Sequence, residues 1–192
     1  QIDRTFVAMS KDKGWKISEF ITNARALDYD NWDHVEKAME LLRKLHQSGE
    51  KTNHNFDLIA GIDDFKEKLQ ASNRFEFDGL DELDQLIATL IEFLKKDKVE
   101  KVLCHGDSYS PNFLLNEQDE MSLIDWEYSG MGDPAGDIGT FICCSNYTLE
   151  QAERVLEIYS QGAMDTKTKR HYLAYVAVTS YHWFLWALFQ ES

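Results

Sequence analysis

Residues 104–115 read CHGDSYSPNFLL. A carboxylate, Asp107, and a carboxamide, Asn112, stand five residues apart on a polar loop that also holds Pro111. The lead-in VEKVLC predicts a short strand before the loop. After it, PNFLLNE and MSLIDWEY, with the polar QDE between them, predict a hairpin. Asp125 follows Asn112 by thirteen residues and falls near the end of the second strand. A hairpin of that length folds Asp125 back beside Asn112. A neighbouring carboxylate and carboxamide form an oxygen site for a hard cation such as Mg²⁺, which takes one or two carboxylates and completes its shell with water and substrate phosphate. Asp107 is left to orient a hydroxyl and accept its proton. These are the parts needed for phosphoryl transfer, where positioning and charge neutralisation supply most of the rate.

The rest of the chain sets the frame. RTFVAMSKDKGWKISEFI predicts two strands around a KDKG turn. NWDHVEKAMELLRKLHQSGE predicts a helix with its apolar face at Val35, Ala38, Met39, Leu41, Leu42 and Leu45, capped by Asp30 and ended by Gly49. DDFKEKLQAS and DGLDELDQLIATLIEFLKKDK predict two more helices; the second carries acids at the front and lysines at the back, as the helix dipole favours. SGMGDPAGDIG reads as a Gly-rich loop. Thr148 and Gln151 form a T-x-x-Q capping box before AERVLEIYS, which Gly162 would end. A last helix is expected from about Lys167 onwards. The uncharged stretch 172–189 is long enough to span a bilayer. Its three Tyr, His, Thr and Ser favour a buried helix instead.

Length and charge narrow the function. With 192 residues the chain can bury roughly 70% of its unfolded surface without disulfide staples. The net charge of −14 argues against nucleic acid, whose phosphates require Lys and Arg. It suits a cationic small molecule or a metal ion, and equally a well-solvated surface. The three cysteines show no framework spacing and no C-x-x-C, which points to reduced thiols, small buried side chains and a cytoplasmic protein. The first residue is Gln, so the chain is expected to begin inside a longer protein.

HGDSYSPN resembles the H-x-D-x-x-x-x-N catalytic loop of the kinase-like phosphotransferases, and LIDWEYS resembles their metal-binding counterpart of D-F-G. LIDWEYSGMGDPAGDIG, the hinge-like SEFITNARAL and the W-x-x-W of WFLW are most similar to choline and ethanolamine kinases, the bacterial choline kinase-like enzymes in particular. The resemblance covers essentially the whole chain. It implies an α+β, mainly helical fold: the C-terminal lobe of a protein-kinase-like fold with a small catalytic β-hairpin. Residues 1–22 would be the end of an N-terminal lobe and hinge, and residues 23–192 the helical catalytic and acceptor-binding lobe.

The resemblance also assigns roles. Asp107 would be the catalytic base, and Asn112 and Asp125 the Mg²⁺ ligands. Glu19, Phe20 and Ile21 would meet the adenine of ATP. His105 would be structural, and Asp137 would brace the catalytic loop. Trp183 and Trp186 would box a quaternary ammonium, with Tyr128 near that pocket. Physical chemistry supports the box: residues three apart share a helix face, and Trp is the best cation–π partner. An ammonium would also gain from the field of Asp107 and Glu127.

Two departures stand out. No G-x-G-x-x-G and no V-A-I-K-like strand occurs, so the chain alone is expected to bind ATP poorly and to be inactive. A bared lobe surface would favour a homodimer. The family also places an acid shortly after DIG, where this chain has TFICCSNY, with Tyr147 as the nearest substitute. The missing acid speaks against choline and leaves ethanolamine, thiamine or an aminoglycoside open as acceptors, whereas the W-x-x-W favours choline or a related amino alcohol; the alternatives are aminoglycoside or thiamine phosphorylation, or a non-catalytic cation- or protein-binding pseudokinase module.

Overall fold

The two predicted N-terminal strands form: β1 (Phe6–Ser10) pairs antiparallel with β2 (Trp15–Ser18). Their turn closes as the Gly14 amide donates to the Ser10 carbonyl at 2.9 Å. The computed structural model describes residues 2–71, 78–162 and 164–190. The large side chains of the hairpin, Phe6, Val7, Met9, Trp15 and Ile17, are all exposed.

After the short strand β3 (Arg25–Ala26) come the helices α1 (Trp32–His46), α2 (Leu58–Ala71) and α3 (Leu80–Leu94). Strand β4 (Val102–Cys104) leads through a 3-10 turn, Ser110–Asn112, to the hairpin β5 (Phe113–Leu115) and β6 (Met121–Leu123). Then follow β7 (Gly130–Gly132), α4 (Pro134–Ser145), α5 (Leu149–Ser160) and α6 (Thr166–Gln190). One small sheet has the order β3-β5-β6, and β4 pairs with β7. The fold is mainly helical α+β, as expected.

Two apolar clusters hold it together. In the first, α1 sets Val35, Met39 and Leu42 against Phe113 and Leu123 of the hairpin, Ile138 and Phe141 of α4, and Val155 and Leu156 of α5. In the second, Ile62 and Leu69 of α2, Ile87 of α3, and Val178 and Leu185 of α6 pack together. Helix α6 serves both clusters, so it is apolar on every side rather than along one stripe. Gly139 lets it approach α4 closely: a Cβ there would lie 2.8 Å from Thr179 Oγ1. Among the described residues no helix is long and apolar enough to cross a membrane.

Several expectations need correction. Asn31, not Asp30, caps α1, accepting the Asp33 amide at 3.0 Å. The Asp30 amide instead donates to Asp28, so Asp30 belongs to the preceding turn. Helix α1 ends at His46 with Gln47 as its cap, two residues before the left-handed Gly49. Similarly Gln161, itself left-handed, caps α5 ahead of Gly162. Helix α2 starts five residues earlier than read, at Leu58, and Ser72 lies outside the described residues. The stretch read as a Gly-rich loop holds strand β7 and the start of α4. Its glycines make room for a neighbour: a Cβ at Gly130 would lie 2.7 Å from the Phe56 amide nitrogen, and one at Gly132 would lie 2.6 Å from the Phe56 carbonyl oxygen. Of the cysteines, Cys104 is buried, Cys143 is partly so and Cys144 is exposed.

Candidate active site

Strand β4 delivers its C-terminal end to the loop 105–112. At Gly106 the chain takes φ +89, and a Cβ would lie 2.5 Å from the Tyr128 carbonyl oxygen. Only glycine allows this backbone to pass so close to the segment after β6.

The loop is held from behind by Asp137, on the first turn of α4 and fully buried. Its carboxylate accepts the amides of His105 at 2.7 Å and Gly106 at 2.8 Å, and faces His46 Nε2 at 2.9 Å. Ser108 Oγ donates to the Asp137 carbonyl at 2.6 Å. Burial pushes the Asp137 carboxyl up, but the His46 hydrogen bond and nearby imidazoles outweigh it and hold the group below the usual carboxylate range.

His105 ties the loop to the hairpin. The Asp107 amide donates to His105 Nδ1 at 3.3 Å, so Nε2 carries the proton and donates to the Ile124 carbonyl at 2.8 Å. Its ring meets Trp126 edge-on at 4.9 Å. With both nitrogens committed to backbone, His105 has a structural environment.

Asn112 and Asp125 come together through the hairpin register. Phe113 pairs with Leu123, and the Ile124 amide donates to the Asn112 carbonyl at 2.9 Å. Asn112 Nδ2 donates to the Asp107 carbonyl at 2.8 Å and to its carboxylate at 2.9 Å. Both amide hydrogens are thereby used, leaving Oδ1 as an acceptor. Asp125 adopts φ +63, a left-handed conformation rare for a non-glycine residue. Such strain persists only where the surroundings impose it, and it clusters at functional sites.

Burial raises the Asp107 pKa; the Asn112 hydrogen bond and His105 pull it down, Asp125 and Glu127 push it up, and it stays above the ordinary value. The phenols of Tyr109 and Tyr128 are also raised, by partial burial and by the charges of Asp107 and Asp125, with Glu127 acting on Tyr128 as well. Tyr109 was missed in the sequence; its place between Asp107 and Asn112 was the available signal.

A cavity of about 670 Å³ joins Glu19, Phe20 and Ile21 to Asp125, with Lys16 and Leu114 on its wall. The segment 19–21 and the end of the β5–β6 hairpin thus share one space. Trp183 and Trp186 meet at right angles on α6, with ring centroids 5.8 Å apart. Trp186 is exposed, and Trp183 Nε1 is buried without an acceptor among the described residues. Tyr147 joins the loop through Tyr29, whose hydroxyl accepts the Ser110 amide at 2.9 Å. The Tyr147 hydroxyl donates to the Tyr29 carbonyl at 2.5 Å, and its ring stacks on Trp32, over which Arg154 lies at 3.7 Å.

The residues around Asn112 and Asp125 offer hard oxygen donors and suit a hard divalent cation. Asp125 has no hydrogen bond or ion pair among the described residues, and its charge and that of Glu127 bear on Asp107.

The fold is that of the protein-kinase-like phosphotransferases. The chain belongs to the phosphotransferase enzyme family, whose pattern matches residues 5–173. It is 26% identical over 190 residues to the protein LicA of Haemophilus influenzae, covering 93% of this chain and 70% of that protein. Among solved structures it resembles a choline/ethanolamine kinase family protein from Mesorhizobium loti, with TM-score 0.86 and 26% identity over 99% of this chain and 66% of that one. The choline kinase LicA from Streptococcus pneumoniae shares the fold at TM-score 0.78 and 23% identity, over 99% of this chain and 67% of that one. The chain thus spans about two thirds of the length of these relatives.

Proposed function

We propose that the chain is the catalytic and acceptor-binding lobe of a small-molecule kinase that transfers the γ-phosphoryl group of ATP to the hydroxyl of choline or a related amino alcohol. The observation that carries this reading is the triangle of Asp107, Asn112 and Asp125, with Asp107 hydrogen-bonded to Asn112 at 2.9 Å. Residues 23–192 form that lobe, and residues 1–22 are the end of an N-terminal lobe and hinge. The row of exposed apolar side chains on β1 and β2, with Phe20 91% exposed, supports a covering lobe in the longer protein.

Asn112 Oδ1 and the Asp125 carboxylate would hold Mg²⁺, which would supply positive charge to offset that of the ATP phosphates. Glu19, Phe20 and Ile21 would present hinge backbone to the adenine. Asp107 orients the acceptor hydroxyl and takes its proton as the new oxygen–phosphorus bond forms and the bond to ADP breaks. Its raised pKa makes it a better proton acceptor than an ordinary surface Asp. His105 and Asp137 keep the loop rigid through the exchange. The right-angled corner of Trp183 and Trp186 suits a quaternary ammonium, with Tyr128 and Glu127 adding to the attraction. Tyr147 would contribute to this pocket through Tyr29, to which its hydroxyl is bonded and which in turn holds the Ser110 amide.

Calorimetric titration with choline, ethanolamine and kanamycin tests the acceptor. Choline is expected to bind best, and Trp183→Ala to abolish the heat. Preference for kanamycin would transfer the reading to antibiotic phosphorylation, and choline binding unchanged in Trp183→Ala would remove the aromatic corner from it.

A further inference from the structure

Away from the catalytic loop, His171 of α6 is buried between two carboxylates. Its Nδ1 lies 3.0 Å from Asp97, in the loop between α3 and β4. Its Nε2 lies 2.7 Å from Asp133, whose other oxygen caps α4 by accepting the Ala135 amide at 2.9 Å. An ionised carboxylate only accepts, and a neutral imidazole has one N–H. Only the imidazolium satisfies both partners. The surrounding charge agrees: Lys167 Nζ lies 2.8 Å from Asp97, so two carboxylates face two cations when His171 is protonated.

The other groups packed here do not replace that charge. Tyr172 and Tyr175 flank the ring at 6.2 and 5.2 Å. Burial raises both phenols and the nearby Cys104 thiol, so all three stay neutral. Asp57 faces Tyr175. Lys98 and Glu100 line a cavity of about 300 Å³ on one side of Asp97, and Lys95 and Lys101 line one of about 180 Å³ on the other.

We propose that Asp97, His171 and Asp133 form a proton-operated clasp: the imidazolium pins the 95–101 loop and the start of α4 to α6, and loss of its proton leaves one N–H for two carboxylates and loosens the loop, with Lys167 as the remaining tie of Asp97 to α6. The inference does not depend on the phosphotransferase reading. It bears on the catalytic loop all the same, because α4 carries Asp137 one turn beyond its Asp133 cap.

Burial pulls His171 down, but the hydrogen bonds and charges of Asp133 and Asp97 more than offset it, so it titrates above 6.5. The clasp is therefore fully closed below pH 6.5 and opens as pH rises through the raised value.

The test is proton NMR of the His171 ring across pH, with amide exchange of residues 98–101, on the whole chain. The expected result is a midpoint above 6.5, with exchange accelerating by up to about tenfold per pH unit beyond the intrinsic dependence between pH 6.5 and that midpoint, and levelling off to the intrinsic dependence above it. His171→Gln should exchange fast at every pH. Should that variant fail to fold, Asp97→Asn decides: it should lower the His171 midpoint. A wild-type midpoint at or below 6.5, exchange that follows only the intrinsic dependence, or a midpoint unmoved in Asp97→Asn would overturn the clasp.

Discussion

The Asn112 carboxamide grips Asp107 twice, at 2.8 Å on its backbone carbonyl and 2.9 Å on its carboxylate. The same bond that orients Asp107 lowers its pKa against the opposing effects of burial, Asp125 and Glu127. Asn112→Ala should therefore raise the Asp107 pKa further. Carbon-detected NMR titration of the Asp107 carboxyl reads this directly; an unchanged or lowered value would show that the hydrogen bond does not form in solution.

Asp107 also opposes folding. A carboxyl whose folded pKa is raised binds protons more tightly in the native state, so stability falls as pH rises through that window and stays low above it. Asp107→Asn should melt at a higher temperature than wild type at pH 7, and the gain should vanish when the pH is taken down to the ordinary Asp value of 3.8. Scanning calorimetry at the two pH values measures it. On the proposed function, the same substitution should abolish phosphoryl transfer by the full-length protein, the usual opposition of stability and activity at a catalytic position.

Asp137 lies at the opposite extreme. It is fully buried and receives two backbone amides and His46. Asp137→Asn removes the charge that these donors satisfy and should cost about 3 kcal/mol. Urea denaturation checks the figure, and a loss below about 0.5 kcal/mol, the range of ordinary surface substitutions, would contradict the bracing role.

Gly106→Ala should be severe for two independent reasons. Its φ of +89 is poor for any side chain, and the new Cβ would meet the Tyr128 carbonyl oxygen at 2.5 Å. Backbone cannot swing aside as a flexible side chain would, so a loss of about 2 kcal/mol or more is expected. Thermal melting provides the readout.

Thr148→Ala serves as a local control outside the loop 105–112. Thr148 Oγ1 accepts the Gln151 amide at 3.3 Å, and the Gln151 side chain accepts the Thr148 amide at 2.9 Å. Loss of this capping box should cost about 1 kcal/mol by urea denaturation without altering the Asp107 titration.

Much of this was legible in the sequence because it is local. The Thr148–Gln151 box, the KDKG turn and the β5–β6 hairpin follow from spacing and turn chemistry within a few residues. The pairing of Asn112 with Asp125 follows from hairpin register. The glycines of β7 misled because their purpose is tertiary: they admit the Phe56 backbone, which lies more than seventy residues earlier. The partners of Asp137 were hidden for the same reason, since His46 comes from another helix. Tyr147 could be placed by motif alignment, but its commitment to Tyr29 and Trp32 depends on packing that no local pattern encodes.

The most direct test of the central claim uses Mn²⁺ as a paramagnetic stand-in for Mg²⁺. Titrating Mn²⁺ with ADP into the nitrogen-15-labelled chain should broaden the amides of residues 107–112 and 124–126 first, and Asp125→Ala should remove the effect. Broadening centred on another acidic region, or unchanged broadening in Asp125→Ala, would contradict a metal–nucleotide site at Asn112 and Asp125.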